Sequence, residues 1–141
     1  MSVFVVDASL VIKWFVPEVD SHFARQWLDA PHDYMAPDLL FPETGNTVWK
    51  KIRRKELSPD EGQRLVRDLS GIAVETIAMR GLLPDAHALA LATGITVYDA
   101  TYLALAVRLE TQVITGDDRF ARRLAEHPQL APHIRSLRDL A

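Results

Sequence analysis

Val3-Phe4-Val5-Val6-Asp7-Ala8-Ser9 is the stretch that decides the fold. An unbroken apolar run, three of its residues Val, leads straight into a carboxylate. A strand with one wet face alternates apolar and polar residues. A short continuous apolar run instead suits a strand covered on both faces, as in a parallel sheet. Parallel sheets bind ligands in the crevice beyond the carboxyl ends of their strands. Asp7 stands where the first strand opens into such a crevice.

Working outward, Leu10 to Phe15 read as a short apolar helix stopped by Pro17, and Val19 to Ala30 as a second, with Phe23, Trp27 and Leu28 on one stripe. Tyr34 to Ala36 form a brief strand and Asp38 to Glu56 a longer helix. Ser58-Pro59-Asp60-Glu61 combines a capping serine, a first-turn proline and a glutamate three residues on, which opens a helix through Leu65, Leu69 and Ile72. Ala73 to Met79 is a strand, and Leu82 to Thr93 a helix that Gly94 stops. Ile95 to Tyr98 reads as a β-branched strand or extended approach to Asp99, followed by an Ala- and Leu-rich helix over Ala100 to Leu109. Gln112 to Thr115 is a strand, Asp117 to Glu126 a helix, and Ile134 to Leu137 a last edge strand. Strands that alternate with helices build βαβ units. The expectation is an α/β fold in a single domain over residues 1–141, with a central parallel sheet flanked by helices on both faces.

Composition narrows the function. The absence of cysteine rules out a disulfide framework and any thiolate-ligated zinc or iron–sulfur site. The apolar N-terminus lacks a basic leader and is interrupted by Asp7 and Lys13, unlike a signal peptide. No apolar run approaches the ~20 residues of a membrane span. These features predict a cytoplasmic protein with no membrane association. The formal net charge of -3 weighs against a non-catalytic nucleic-acid binder, which carries a basic footprint.

Several carboxylates fall at element boundaries. Asp7, Asp99 and Asp117 each follow a predicted strand, and Glu43 lies among apolar and small residues near a helix start. Any one of them is equally a helix cap. Three in succession at the carboxyl edge of one sheet point to a shared site. Carboxylates held close together repel and take up protons unless a cation neutralises them. An all-oxygen donor set, without imidazole or thiolate, suits Mg²⁺ or Mn²⁺ rather than zinc. Each such ion adds two charges, so one ion takes -3 to -1 and two take it to +1. Part of the apparent acidity is then the metal site itself, which removes the objection to a nucleic-acid substrate.

Val5-Val6-Asp7-Ala8-Ser9, Pro42-Glu43, Val97-Tyr98-Asp99-Ala100 with Leu103-Ala104, and Thr115-Gly116-Asp117-Asp118-Arg119-Phe120 together resemble, in order, the four acidic motifs of PIN domains. The resemblance covers nearly the whole chain and is strongest to VapC-type toxin ribonucleases. The Thr-x-Asp-x-x-Phe pattern selects Asp117, with Asp118 as its neighbouring substitute. The resemblance implies a metal-dependent endoribonuclease that hydrolyses phosphodiester bonds in RNA, the toxin of a VapBC-type toxin–antitoxin system. It implies that Asp7, Glu43, Asp99 and Asp117 are catalytic and hold one or two Mg²⁺ or Mn²⁺ ions. Ser9, Thr115 and Asn46 are the implied supporting polar residues. The implied partners are an RNA substrate, a cognate VapB-like antitoxin and a second copy of the chain in a homodimer.

The basic run Lys50-Lys51-Ile52-Arg53-Arg54-Lys55 reads either as a solvated helix end or as a phosphate-binding rim. Lys50, Arg53, Arg54 and, beyond Asp117, Arg119 are the candidate RNA contacts. The apolar residues Leu10 to Val16 and Trp27-Leu28 read as core packing or as a groove for a partner helix. The five histidines show no i,i+4 pair suited to a metal. Two rival functions remain. A phosphohydrolase with Asp7 as nucleophile wants a second Asp where Ser9 stands, and a non-enzymatic metal- or partner-binding module needs no intact set of acids.

Overall fold

The computed structural model describes residues 2–140. Strand β1 (Val3–Val6) leads through α1 (Ala8–Phe15) and α2 (Ser21–Asp29) to β2 (Asp33–Pro37). Helices α3 (Leu40–Arg53) and α4 (Pro59–Ser70) connect β2 to β3 (Glu75–Ile77). A 3₁₀ turn (Met79–Leu82), α5 (Leu83–Thr93) and α6 (Val97–Arg108) return the chain to β4 (Val113–Thr115). Helix α7 (Asp118–Ala125) and a 3₁₀ turn (Ala131–His133) precede β5 (Ile134–Ser136).

The sheet order is β3-β2-β1-β4-β5, with every pairing parallel. Val5 registers with Met35 on one side and Val113 on the other, and Val6 with Ile114. β1 is thus the central strand, and Val5 and Val6 are fully buried. Successive strands step outward from β1 to β3, and the chain then crosses back past β1 to β4 and β5. Right-handed crossovers put α1 to α4 on one face of the sheet and α5 to α7 on the other. The packing agrees: α1 lies against α2 and α3, while α6 covers β1 and β2 and packs on α5. The direction of travel reverses between β1 and β4, so this pair flanks the crevice of the sheet.

Of the two readings of Ile95 to Tyr98, a strand or an extended approach, the strand fails. Ile95 to Tyr98 is not sheet: only a short extended approach precedes α6, which begins at Val97. Thr96 takes an extended backbone and its hydroxyl accepts the Asp99 N–H at 3.1 Å, an N-cap that outweighs the weak strand preference of Ile95 and Val97. Asp99 therefore lies in the first turn of a helix, not at a strand end. The helix after β2 also stops at Arg53 rather than Glu56, because Lys55 takes a left-handed φ of 61°.

The core takes up most of α1: Leu10, Val11, Ile12, Trp14 and Val16 are buried with Trp27, so these residues pack inward and leave only Leu28 exposed. Trp27 donates its indole N–H to the Leu137 carbonyl at 2.7 Å, satisfying the one polar group that a buried indole brings with it. Among the described residues, no single helix is long and apolar enough to cross a membrane.

Candidate active site at the β1–β4 crevice

Asp7 is both a helix cap and a site residue. It takes an extended backbone immediately after β1, and its Oδ1 accepts the Leu10 N–H at 3.0 Å, opening α1. The same oxygen accepts the Ser9 hydroxyl at 2.6 Å, and Oδ2 accepts the Thr115 hydroxyl at the end of β4. Asp7 is only 5% exposed. Burial pushes its pKa up to about 6; the Ser9, Thr115 and Leu10 hydrogen bonds hold it down in part, and the Asp117 charge adds to the rise.

Ser9 and Thr115 also tie the two strand ends together. Ser9 Oγ accepts the Gly116 N–H at 2.8 Å, and Thr115 Oγ1 accepts the Asp117 N–H at 3.0 Å. Both hydroxyl protons go to Asp7, so each side chain links Asp7 to the backbone of the opposite turn. Gly116 is required by this closeness. A Cβ there would lie 2.9 Å from Leu137 Cδ2 and Lys13 Cε and 3.2 Å from the Ser9 carbonyl oxygen.

Asp117 caps α7, its Oδ1 accepting the N–H groups of Arg119 (2.9 Å) and Phe120 (3.3 Å). Asp118 turns away, with its carboxylate 3.3 Å from the Arg138 guanidinium, which also binds Asp20 at 2.6 Å. The two adjacent acids therefore face different surroundings.

Asp99 comes from the opposite side of the sheet, on α6. Its carboxylate has no hydrogen-bond donor among the described residues, and its pKa is pushed up to about 7. Burial is the largest cause, followed by the charges of Asp7, Asp117 and Glu43. That coupling places Asp99 within reach of the fields of the other three acids. Glu43, half-buried on the first turns of α3, is also raised by burial, against which a hydrogen bond from the Tyr102 hydroxyl to Oε1 (2.7 Å) acts. Tyr102 was not among the residues the sequence singled out. Its signal was a polar group at i+3 from Asp99 in a helix otherwise rich in Ala and Leu.

Of the other sequence candidates, Ser9 and Thr115 join the acids, whereas Asn46 is exposed and hydrogen-bonds to none of them. Lys50, Arg53 and Arg54 are exposed at the far end of α3, where the Arg53 guanidinium stacks over Trp49 at 5.1 Å. Lys51 of the same run is instead bound to Glu18 at 2.8 Å. Arg119 is exposed on the first turn of α7, beside Asp117.

The donor set fits a hard divalent cation. It is all carboxylate, and Asp7 and Asp99 bear a repulsion that a cation would relieve. Among the described residues, no group of three or more Asp, Glu, His or Cys side chains is placed to hold a metal ion as it stands. An ion held here would keep several of its waters, as Mg²⁺ commonly does.

The PIN domain model matches residues 4–125. The chain belongs to the PIN domain family. Within that family it is 36% identical over 121 residues to Ribonuclease VapC3 of Pyrobaculum aerophilum, covering 84% of this chain and 92% of the relative. The PIN fold agrees with solved structures at lower identity. PAE2754 of Pyrobaculum aerophilum matches with a TM-score of 0.70 at 19% identity, over 98% of this chain and 93% of that one. A toxin–antitoxin complex from Klebsiella pneumoniae matches with a TM-score of 0.68 at 18% identity, over 95% of this chain and 97% of that one.

Proposed function

We propose that this PIN domain is a VapC-type toxin, an endoribonuclease that needs Mg²⁺ or Mn²⁺ and is held in check by a cognate VapB-like antitoxin. The observation that carries the reading is the charge coupling of Asp99 to Asp7, Asp117 and Glu43, and of Asp7 to Asp117, beyond the ends of β1 and β4. The likeness to Ribonuclease VapC3 supports the choice of RNA as substrate, and the toxin–antitoxin complex among the structural neighbours supports the choice of partner.

In this reading the four acids hold one or two ions. A bound ion supplies an activated water and neutralises charge building on the phosphate and the leaving oxygen. The chain's own contribution is position. Asp7, fixed by Ser9, Thr115 and the Leu10 N–H, is a rigid corner of the site. Both of its oxygens accept hydrogen bonds, which suits a ligand better than a nucleophile attacking phosphorus. Asp99, with no hydrogen-bond donor among the described residues, is the acid best able to orient a water. Arg119 borders the site, and Lys50 lies seven residues beyond Glu43, about 10 Å along α3, where it and Arg53 and Arg54 would meet the backbone phosphates of a longer RNA.

Purified chain incubated with structured RNAs and Mn²⁺ tests the reading. Cleavage should appear with metal, stop with EDTA, and be lost in Asp7→Asn and Asp99→Asn proteins with wild-type circular dichroism. Undiminished cleavage by either clean variant would refute the assignment. Induced expression without an antitoxin should arrest growth, and the same variants should relieve the arrest.

A further inference from the structure

Tyr102 is 1% exposed, yet it carries a hydroxyl, which reaches from α6 on one face of the sheet to Glu43 of α3 on the other. A buried hydroxyl needs a partner, and this one gives its proton to Glu43 Oε1 at 2.7 Å, across 59 residues of sequence. A phenol keeps its proton at neutral pH, so Tyr102 is a donor to the carboxylate there. Tyr102 also lies at i+3 from Asp99 and shares its helix face. Helix α6 thus carries one acid of the site and the group that fixes another.

The geometry matters because Glu43 is a long side chain on a helix. Its torsions would otherwise let the carboxylate swing towards solvent. Among the described residues, the Tyr102 hydroxyl is the donor that pins it. With Oε1 engaged, Oε2 is the oxygen left for the crevice.

We propose that Tyr102 is a positioning residue that orients the Glu43 carboxylate for cation binding. This rests on the reading that the acids hold a divalent ion. Residues behind metal ligands typically change affinity or activity by 10- to 100-fold when removed, and a roughly 10- to 100-fold loss is expected here.

The test is a double-mutant cycle read by Mn²⁺ calorimetry and by RNA cleavage. Tyr102→Phe removes one oxygen and keeps the ring in place. It should melt close to wild type without metal, bind Mn²⁺ roughly 10- to 100-fold more weakly, and lose kcat with little change in the KM for RNA. Glu43→Gln should weaken Mn²⁺ at least as much, and adding Tyr102→Phe to it should cost nothing more, because the two changes act through one carboxylate. Wild-type Mn²⁺ affinity in Tyr102→Phe would overturn the proposal, as would the same loss in the presence and absence of Glu43→Gln. Asp99→Asn separates the two readings. If it abolishes Mn²⁺ binding while Tyr102→Phe does not weaken it, only the role of Tyr102 fails. If Asp99→Asn binds Mn²⁺ like wild type, the cation site fails and the Tyr102 proposal fails with it.

Discussion

The two halves of the acidic crevice are built differently. On the strand side, Asp7 and Asp117 accept hydrogen bonds from backbone N–H groups, and Asp7 also from the hydroxyls of Ser9 and Thr115. On the helix side, Glu43 has one donor, Tyr102, and Asp99 has none among the described residues. The strand side is organised before any ion arrives. The helix side is held in place by α3 and α6 while its charges repel. One half gives the site its shape, and the other gives it the unrelieved negative charge that draws a cation in.

The largest expected effect on stability comes from loosening the organised half. Thr115→Val keeps shape but removes the hydroxyl that donates to Asp7 and accepts from the Asp117 N–H, leaving the buried Asp7 carboxylate and the half-buried Asp117 N–H a partner short. It should destabilise the protein by about 1–3 kcal/mol in urea titrations. It should also lower cleavage roughly 10- to 100-fold. Wild-type stability in this variant would show that the strand side is no more tightly built than the helix side.

Relieving the frustrated half should do the reverse. Asp99 titrates near 7 when folded against 3.8 unfolded, so the folded state binds the proton more tightly. Its contribution to metal-free stability therefore falls as pH rises from about 4 to 7 and is flat above, and Asp7, raised from 3.8 to about 6, adds to the same trend. Asp99→Asn should stabilise the protein in EDTA at pH 8, by about 1–2 kcal/mol once solvent screening is allowed for. The gain should vanish near pH 4, and thermal melts across this range check it. Mn²⁺ should raise the melting temperature of wild type but not of this variant. A variant that melts lower than wild type at pH 8 would mean that the Asp99 charge is already satisfied.

The smallest effects on stability separate capping from chemistry. Asn caps helices about as well as Asp, so Asp117→Asn should leave stability nearly unchanged while cleavage is lost. Asp118→Asn breaks an exposed pair with Arg138, worth ~0–1 kcal/mol, and should leave cleavage intact. If the two variants exchanged phenotypes, the strand-side assignment would move one residue along the chain.

Much of this was legible in the sequence because it rests on short-range patterns. Val5 and Val6 declare a doubly covered strand, and a carboxylate directly after such a strand is exposed to the crevice by geometry alone. The capping box at Ser58 and Glu61 formed as its spacing requires. Ile95 to Tyr98 misled because β-branched residues fit a strand as well as a helix entrance, and the hydroxyl of Thr96 decided between them. Tyr102 was out of reach because its partner lies on another helix. The spacing from Thr115 to Phe120 already favoured Asp117 over Asp118; what lay beyond the sequence pattern was the Arg138 side chain that draws Asp118 away.

The bond between the Asp7 carboxylate and the Thr115 hydroxyl spans 108 residues. Read in the order of synthesis, β1 leaves the ribosome first, yet as the central strand it waits for β4 to cover its second edge. Until Gly116 has emerged, Ser9 lacks the N–H it accepts and Asp7 lacks its cross-strand donor. A nascent or truncated chain that ends before β4 therefore carries Asp7 and Glu43 without the clasp that sets them. The acidic centre of this PIN domain thus stays unassembled until β4 and the turn after it have been made.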